Sequence, residues 1–338
     1  MLGNDGIFII AEAGVNHNGS IDTAKKLVDA AVLAGADAIK FQTFKAENLV
    51  TKNAPKAEYQ KLSTGDGNQF QMLKKLELSI ENHLILKKYC EEKNIEFLST
   101  PFDFESVDLL EKIGVKYYKI SSGDLTNIPL LQYVAKLKKP MIVSTGMANL
   151  GEVEIAVSAI QKYMNKDLYL LHCTSNYPTR YEDVNLNAMI TLKNAFKLPV
   201  GYSDHTVGIE VPIAAVAMGA KVLEKHFTLD RNMEGPDHKA SLEPDELKNM
   251  VDSIRNIEKA FGDGIKRCNK SEENTRKVAR KSIVAGKNLK KGDKLCSDNI
   301  CFKRPENGVS PIYTNLIINR RLTKDLKKDD LITFDLIE

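Results

Sequence analysis

Eight short apolar runs, each ending in polar residues, recur through the first 226 residues and alternate with segments of helical period. They are Ile7–Ala11, Ala38–Phe41, Ile95–Leu98, Tyr117–Ile120, Met141–Val143, Leu168–Leu171, Leu198–Gly201 and Lys221–Glu224. The runs are continuously apolar rather than alternating, which suits parallel strands covered on both faces. Thr23–Ala34, Glu81–Lys93, Glu152–Met164 and Ile209–Met218 carry the intervening helical pattern. Gly35 and Gly219 stand where left-handed helix caps belong. Eight strand–helix units in series predict an α/β fold, a (β/α)8 TIM barrel, closed by a last helix over Pro244–Phe261. The interval from 42 to 100 is too long for one helix, and Asn48–Lys75 reads as a long loop at the mouth of the barrel.

Beyond Phe261 the pattern changes. Residues 1–265 are expected to form the barrel, 266–281 a charged linker, and 282–338 a small β-rich domain of short strands and turns. A unit of that size alone is marginal. The 338 residues are 43% hydrophobic and 28% charged, with 20 Gly and 11 Pro, which excludes disordered, collagen-like and coiled-coil chains. No apolar run reaches the ~20 residues of a membrane span. No secretory signal is expected. The five cysteines show no metal-ligand spacing and read as reduced thiols of a cytoplasmic protein. The net charge of +3 is uneven: residues 266–338 hold 18 Lys and Arg against 10 Asp and Glu. No aromatic interleaving accompanies this excess, so a solvated basic face or a positive rim near an anionic substrate is preferred to a nucleic-acid surface.

A barrel of this kind works at the carboxyl ends of its strands, and chemistry-bearing residues gather there. Lys40 and Lys119 end buried strands, where an unpaired ammonium is costly. Each could serve a structural ion pair. With Thr100, Ser122 and Ser144 they compose a cradle for phosphate or carboxylate. Lys119 could instead form a Schiff base. His205 and His226 end neighbouring strands, and two imidazoles with water and a substrate oxygen suit Mn²⁺, with Mg²⁺ or Co²⁺ as alternatives. His17 and His172 read as structural or supporting groups, and His238 as either. Glu12, at a buried strand end, is either a lysine's partner or a proton-transfer group. Ser203, Asp204 and His205 are consecutive in a strand and alternate faces, so they do not form a nucleophilic triad.

Glu12–Ser20, Lys40–Thr43, Ser99–Phe102, Lys119–Asp124, Ser144–Met147, Gly201–Thr206, Glu224–Thr228 and Gly235–Ser241, in this order, resemble the bacterial sialic acid synthases. Lys303–Gly308 resembles part of their C-terminal SAF (antifreeze-like, beta-clip) domain. The resemblance covers nearly the whole chain. It implies condensation of phosphoenolpyruvate with an N-acetylated mannosamine-type sugar, N-acetylmannosamine or a 2,4-diacetamido-2,4,6-trideoxymannose. Water is consumed and phosphate released, giving a nine-carbon 2-keto sugar acid. It further implies phosphoenolpyruvate contacts from Lys40, Thr100, Lys119, Ser122 and Ser144, a divalent metal on His205 and His226, and water delivery by Glu12. Gln42, Asp124, Tyr177 and Asp237 would meet the sugar. Arg304 would reach the site of a partner subunit in a domain-swapped homodimer.

Three sugar-side positions depart from the family pattern: Asp124 where Glu is frequent, Glu306 where Gly is common, and Ser175 where some members carry Asn. Segments Leu229–Ser241 and Glu243–Asp263 resemble the neuraminate and diacetyllegionaminate branch rather than the pseudaminate one. The competing readings are a Schiff-base aldolase using Lys119 and a non-enzymatic glycan-binding protein.

Overall fold

The structure is a computed structural model that describes residues 6–338 apart from Asn165. Its strands are β1 (Phe8–Gly14), β2 (Ala38–Thr43), β3 (Glu96–Pro101), β4 (Tyr118–Ile120), β5 (Met141–Ser144), β6 (Leu168–Cys173), β7 (Val200–Asp204) and β8 (Val222–His226). They form one sheet in the order β3-β2-β1-β8-β7-β6-β5-β4, with parallel pairing throughout. β3 and β4 lie side by side at the remaining seam. This is the predicted (β/α)8 barrel. Each strand begins within about two residues of its apolar run, because a run buried on both faces has no polar residue until the barrel's mouth.

Alternation divides each strand between two cores. Ile9, Ala11, Ile39, Phe97, Val143 and Leu170 pack outward against the helices. Ile10, Leu98, Ile142, Leu171 and Val222 form a separate apolar layer that fills the lumen. Two positions further along the same inward face come Glu12, Thr100, Ser144, Cys173 and Glu224, so the polar layer sits directly on the apolar one. Helix Ile21–Ala34 starts at Ser20, whose hydroxyl accepts from Thr23 N–H, and ends at Gly35, where φ of 80° is left-handed. The last barrel helix is Pro244–Phe261, as its proline and acidic first turn predict.

The insertion between β2 and β3 differs from the expected loop. It holds short helices at Ala46–Leu49, Glu58–Thr64 and Gln69–Leu76 ahead of the barrel helix Ile80–Glu92. Its Phe44, Met72 and Leu76 cluster with Val15, which follows β1, in a small core apart from the barrel's. That burial is what a helix of only two turns needs to persist.

The chain divides into two compact units, the barrel ending at Gly262 and a second unit, Asp263–Glu338. Residues 266–281, expected as a linker, contain helix Glu273–Ala279 and belong to the second unit. Arg276 and Arg280 there pair with Glu306 at 3.1 and 3.4 Å. The second unit carries the antiparallel pair β9 (Ser282–Ala285) and β10 (Ile300–Lys303), with Leu331 bridged to Val284. Its own core includes Ile283, Leu295, Ile317, Leu322 and Ile332.

Candidate active site

The polar layer opens into a cavity of about 450 Å³ at the carboxyl ends of the strands. Register places its charges: Glu12 on β1 is level with Lys40 on β2 and His226 on β8, and Ser203 on β7 is level with Glu224 on β8. Lys40 Nζ lies 2.8 Å from Glu12 Oε2 and 3.6 Å from Glu224 Oε2, and donates to Thr100 Oγ1 at 3.0 Å. Lys119 Nζ is 3.3 Å from Glu224 Oε1, which also accepts from Ser203 Oγ at 2.8 Å. Two ammonium groups thus share two carboxylates in a buried cluster.

The two carboxylates are not equivalent. Burial raises the pKa of Glu12, and Glu224 raises it further against the pull of Lys40, leaving it at about 7. Burial also disfavours ionised Glu224, but Lys119 and Lys40 outweigh it and hold that carboxyl at about 2. Lys119 is shifted down, by burial first, with Glu224 opposing. Lys40 is shifted up because Glu12 and Glu224 together overcome its burial. An incoming dianion therefore meets a site already anchored by one permanent carboxylate and one carboxyl able to exchange a proton near neutrality.

Ser122 Oγ accepts from Gly146 N–H at 3.0 Å and lies 3.0 Å from Cys173 Sγ. The Ser144 hydroxyl is buried without a hydrogen-bond partner. A buried hydroxyl in that state faces the cavity as a free donor for a ligand oxygen.

On the opposite side, the His205 and His226 ring centroids are 5.4 Å apart. His205 Nδ1–H donates to Thr174 O at 2.7 Å, which leaves Nε2 unprotonated. Burial keeps His205 neutral against that hydrogen bond. Burial, then His205 and Lys40, keep His226 neutral, and its Nδ1 is buried without a hydrogen-bond partner. Neutral imidazoles with free ring nitrogens fit a divalent cation. Among the described residues no group of three or more His, Cys, Asp or Glu side chains could hold a metal. The Tyr177 ring covers His205 at 4.1 Å and meets His226 edge-on at 5.6 Å.

Glu12, Lys40, Gln42, Thr100, Lys119, Ser122, Ser144, Tyr177, His205 and His226 all line this one cavity. Asp237 is buried beside it, 3.9 Å from His226 Nδ1, and burial pushes its carboxyl up to about 6 against Lys40. Glu12, Gln42 and Asp237 converge on Gly14, whose missing side chain leaves them room. Asp124 does not line the cavity: its carboxylate accepts from Ser121 Oγ at 2.8 Å and Asn127 Nδ2 at 3.3 Å. Arg304 is exposed on the second unit. Ser203 and Asp204 point apart as strand alternation requires, Asp204 pairing with buried Lys225 at 2.5 Å. His17 accepts from Gly19 N–H, His172 Nε2 bonds Val184 O, and His238 Nδ1 bonds Thr228 Oγ1, all outside the cavity lining.

Glu224, Ser203 and Cys173 were not picked out from the sequence as site residues, though period-2 counting inward from His226, Gly201 and Leu171 reaches them. Tyr59, Gln60 and Gln69 come from the insertion and had no such signal.

Cations and hydroxyls concentrated at the carboxyl ends of the strands put this chain among the barrel enzymes that act on small anions. Residues 27–266 match the NeuB family and residues 280–338 the SAF domain. The chain belongs to the NeuB family, the phosphoenolpyruvate-using sugar-acid synthases, as the ordered motifs imply. It is 54% identical to the N,N'-diacetyllegionaminic acid synthase of Campylobacter jejuni over 96% of this chain and 98% of that one. It is 49% identical to the protein of the same name from Legionella pneumophila, over 98% and 94%. Among solved structures, the N-acetylneuraminic acid (sialic acid) synthetase of Leptospira borgpetersenii in complex with citrate superposes with a TM-score of 0.71 at 39% identity. That match covers 81% of this chain and 94% of the other.

Proposed function

We propose that the chain condenses phosphoenolpyruvate with 2,4-diacetamido-2,4,6-trideoxymannose to give N,N'-diacetyllegionaminate and phosphate. The observation that carries the choice of sugar is the 54% and 49% identity, over nearly full length, to two proteins named for that product. Lys40, Lys119, Thr100, Ser122 and Ser144 bind the phosphoenolpyruvate anion. His205 and His226 would hold a divalent cation, Mn²⁺ first and Mg²⁺ or Co²⁺ as alternatives, which would supply Lewis-acid polarisation of the sugar aldehyde.

Carbon 3 of phosphoenolpyruvate forms the new bond to the aldehyde carbon, whose oxygen takes up a proton. Carbon 2 becomes an oxocarbenium centre and gains the oxygen of water. Glu12, ionised above about pH 7, receives the proton of that water. Cleavage of the bond from carbon 2 to the phosphate oxygen, with the hydroxyl's remaining proton passing to the departing phosphate, then releases phosphate and leaves the 2-ketone; the proton that Glu12 took from water balances the one gained by the aldehyde oxygen. Glu224, ionised throughout, fixes Lys40 and Lys119 so that they meet the anion without rearrangement. Gln42, Asp237 and Tyr177 meet the sugar. Asp124 would have to exchange Ser121 and Asn127, which engage its carboxylate, to meet the sugar. The family resemblance and the marginal size of the second domain support a homodimer in which Arg304 serves a partner's site.

The test is product mass spectrometry and phosphate release with Mn²⁺, phosphoenolpyruvate and a panel of N-acetylated hexosamines. The diacetamido sugar should give the highest kcat/KM, and removal of metal by a chelator should abolish turnover. Preference for N-acetylmannosamine would reassign the chain to neuraminate synthesis. A borohydride-trapped adduct on Lys119 would revive the aldolase reading.

A further inference from the structure

Lys56 is a buried lysine whose ammonium is held by backbone alone. Its Nζ donates to the carbonyls of Thr64, Gly65 and Asp66 at 3.3, 3.0 and 3.2 Å. Those carbonyls lie at the carboxyl end of the insertion helix Glu58–Thr64, where unsatisfied acceptors and the negative end of the helix dipole favour a cation. Lys56 also stands next to Ala57, the N-cap of that helix, so one side chain ties the helix's start to its finish. The conformation of the segment from Lys56 to Asp66, which carries Tyr59, thus depends on this clamp.

What the clamp presents is Tyr59. The Tyr59 ring stacks on Tyr177 at 5.1 Å and 26° between planes, and Tyr177 in turn covers His205 at 4.1 Å. Tyr59 is therefore one aromatic spacing further from the imidazoles than Tyr177, on the wall of the same cavity. With the aldehyde at the cation that His205 and His226 would hold, the far end of the sugar, carbons 4 to 6, is the part left to reach this aromatic wall. An aromatic ring gains more from contact with a methyl group than from a hydroxyl that must give up water.

We propose that Tyr59, positioned by the Lys56 carbonyl clamp, is a specificity-determining residue that reads the far end of the amino sugar and favours the 6-deoxy, diacetamido form. The proposal rests on the assignment of an amino-sugar substrate made above. Lys56 is a positioning residue, since its ammonium is engaged by the helix end.

The test measures kcat/KM for 2,4-diacetamido-2,4,6-trideoxymannose and for N-acetylmannosamine, with KM for phosphoenolpyruvate, in the wild type and in Tyr59→Ala, Tyr59→Phe, Lys56→Met and Lys56→Arg. Tyr59→Ala should reduce the ratio of the two sugars' kcat/KM by about tenfold, the discrimination one methyl-sized contact supplies. KM for phosphoenolpyruvate should move less than twofold. Tyr59→Phe should keep the wild-type ratio. Lys56→Met should reproduce the Tyr59→Ala loss, and Lys56→Arg should restore most of it. An unchanged sugar ratio in Tyr59→Ala, or equal loss on both sugars, overturns the proposal. The wild-type preference for one sugar over the other tests the substrate assignment separately, whatever the variants do.

Discussion

Glu12 and Glu224 are the same kind of side chain, both buried and both facing Lys40, yet they do different work. Glu224 has two lysines and the Ser203 hydroxyl, and it stays ionised. Glu12 has one lysine at 2.8 Å and the charge of Glu224 against it. The pairing splits two carboxylates into a fixed anion and a proton acceptor. Because the pKa of Glu12 is raised to about 7, it is protonated below that pH and unable to accept the proton of water. Turnover should therefore rise as pH increases through about 7 and then level off. Glu12→Gln should lower kcat by about 10²–10³-fold and remove that limb from the pH–rate profile, while phosphoenolpyruvate still binds. A limb that persists in Glu12→Gln would assign it to another group.

At the level of elements, the strands do two jobs with one alternation. Lumen-facing positions are apolar at the bottom, as at Ile10, Leu98 and Val222, and polar two residues later, at Glu12, Thr100 and Glu224. The loops after the strands add close packing. A side chain at Gly146 would bring its Cβ to 2.8 Å from both Ser122 Oγ and Cys173 Sγ, and nearer still to Ser175 Oγ. All three are side-chain atoms, and Ser122 belongs to the anion cradle, so they would shift rather than unfold the loop. Gly146→Ala should raise KM for phosphoenolpyruvate by about an order of magnitude, with only a small change in melting temperature. A melting temperature lowered with KM unchanged would make Gly146 a packing residue only. The strands and the last barrel helix were legible in the sequence because their patterns are local. The insertion was not: Glu58–Thr64 is polar outside and short, and its helices exist because Met72 and Leu76 find Val15 and Phe44 from other parts of the chain.

For the whole molecule, the basic excess of residues 266–338 falls in a separate compact unit with its own core. The charged stretch before β9 is not a free tether, since Arg276 and Arg280 are spent on Glu306. The same pairs engage Glu306 beside Arg304, so the departure from glycine at 306 has a local electrostatic role. If Arg304 serves a partner's barrel, mixing inactive Glu12→Gln and Arg304→Ala dimers under subunit exchange should restore activity toward about a quarter of the wild-type level. No recovery despite exchange would confine Arg304 to its own subunit or remove it from the site. By itself the sequence determined the barrel, the position of its mouth, the second small domain and the lysines, hydroxyls and histidines at the strand ends. Each of these follows from periodicity along the chain and from ordered motifs. Only the tertiary structure decided that Glu224 stands between two lysines, that Asp124 is engaged by its own loop, and that Tyr59 joins the aromatic wall. Those facts depend on which strands become neighbours and on where an insertion folds back, and contacts between residues far apart in sequence leave no local pattern to read.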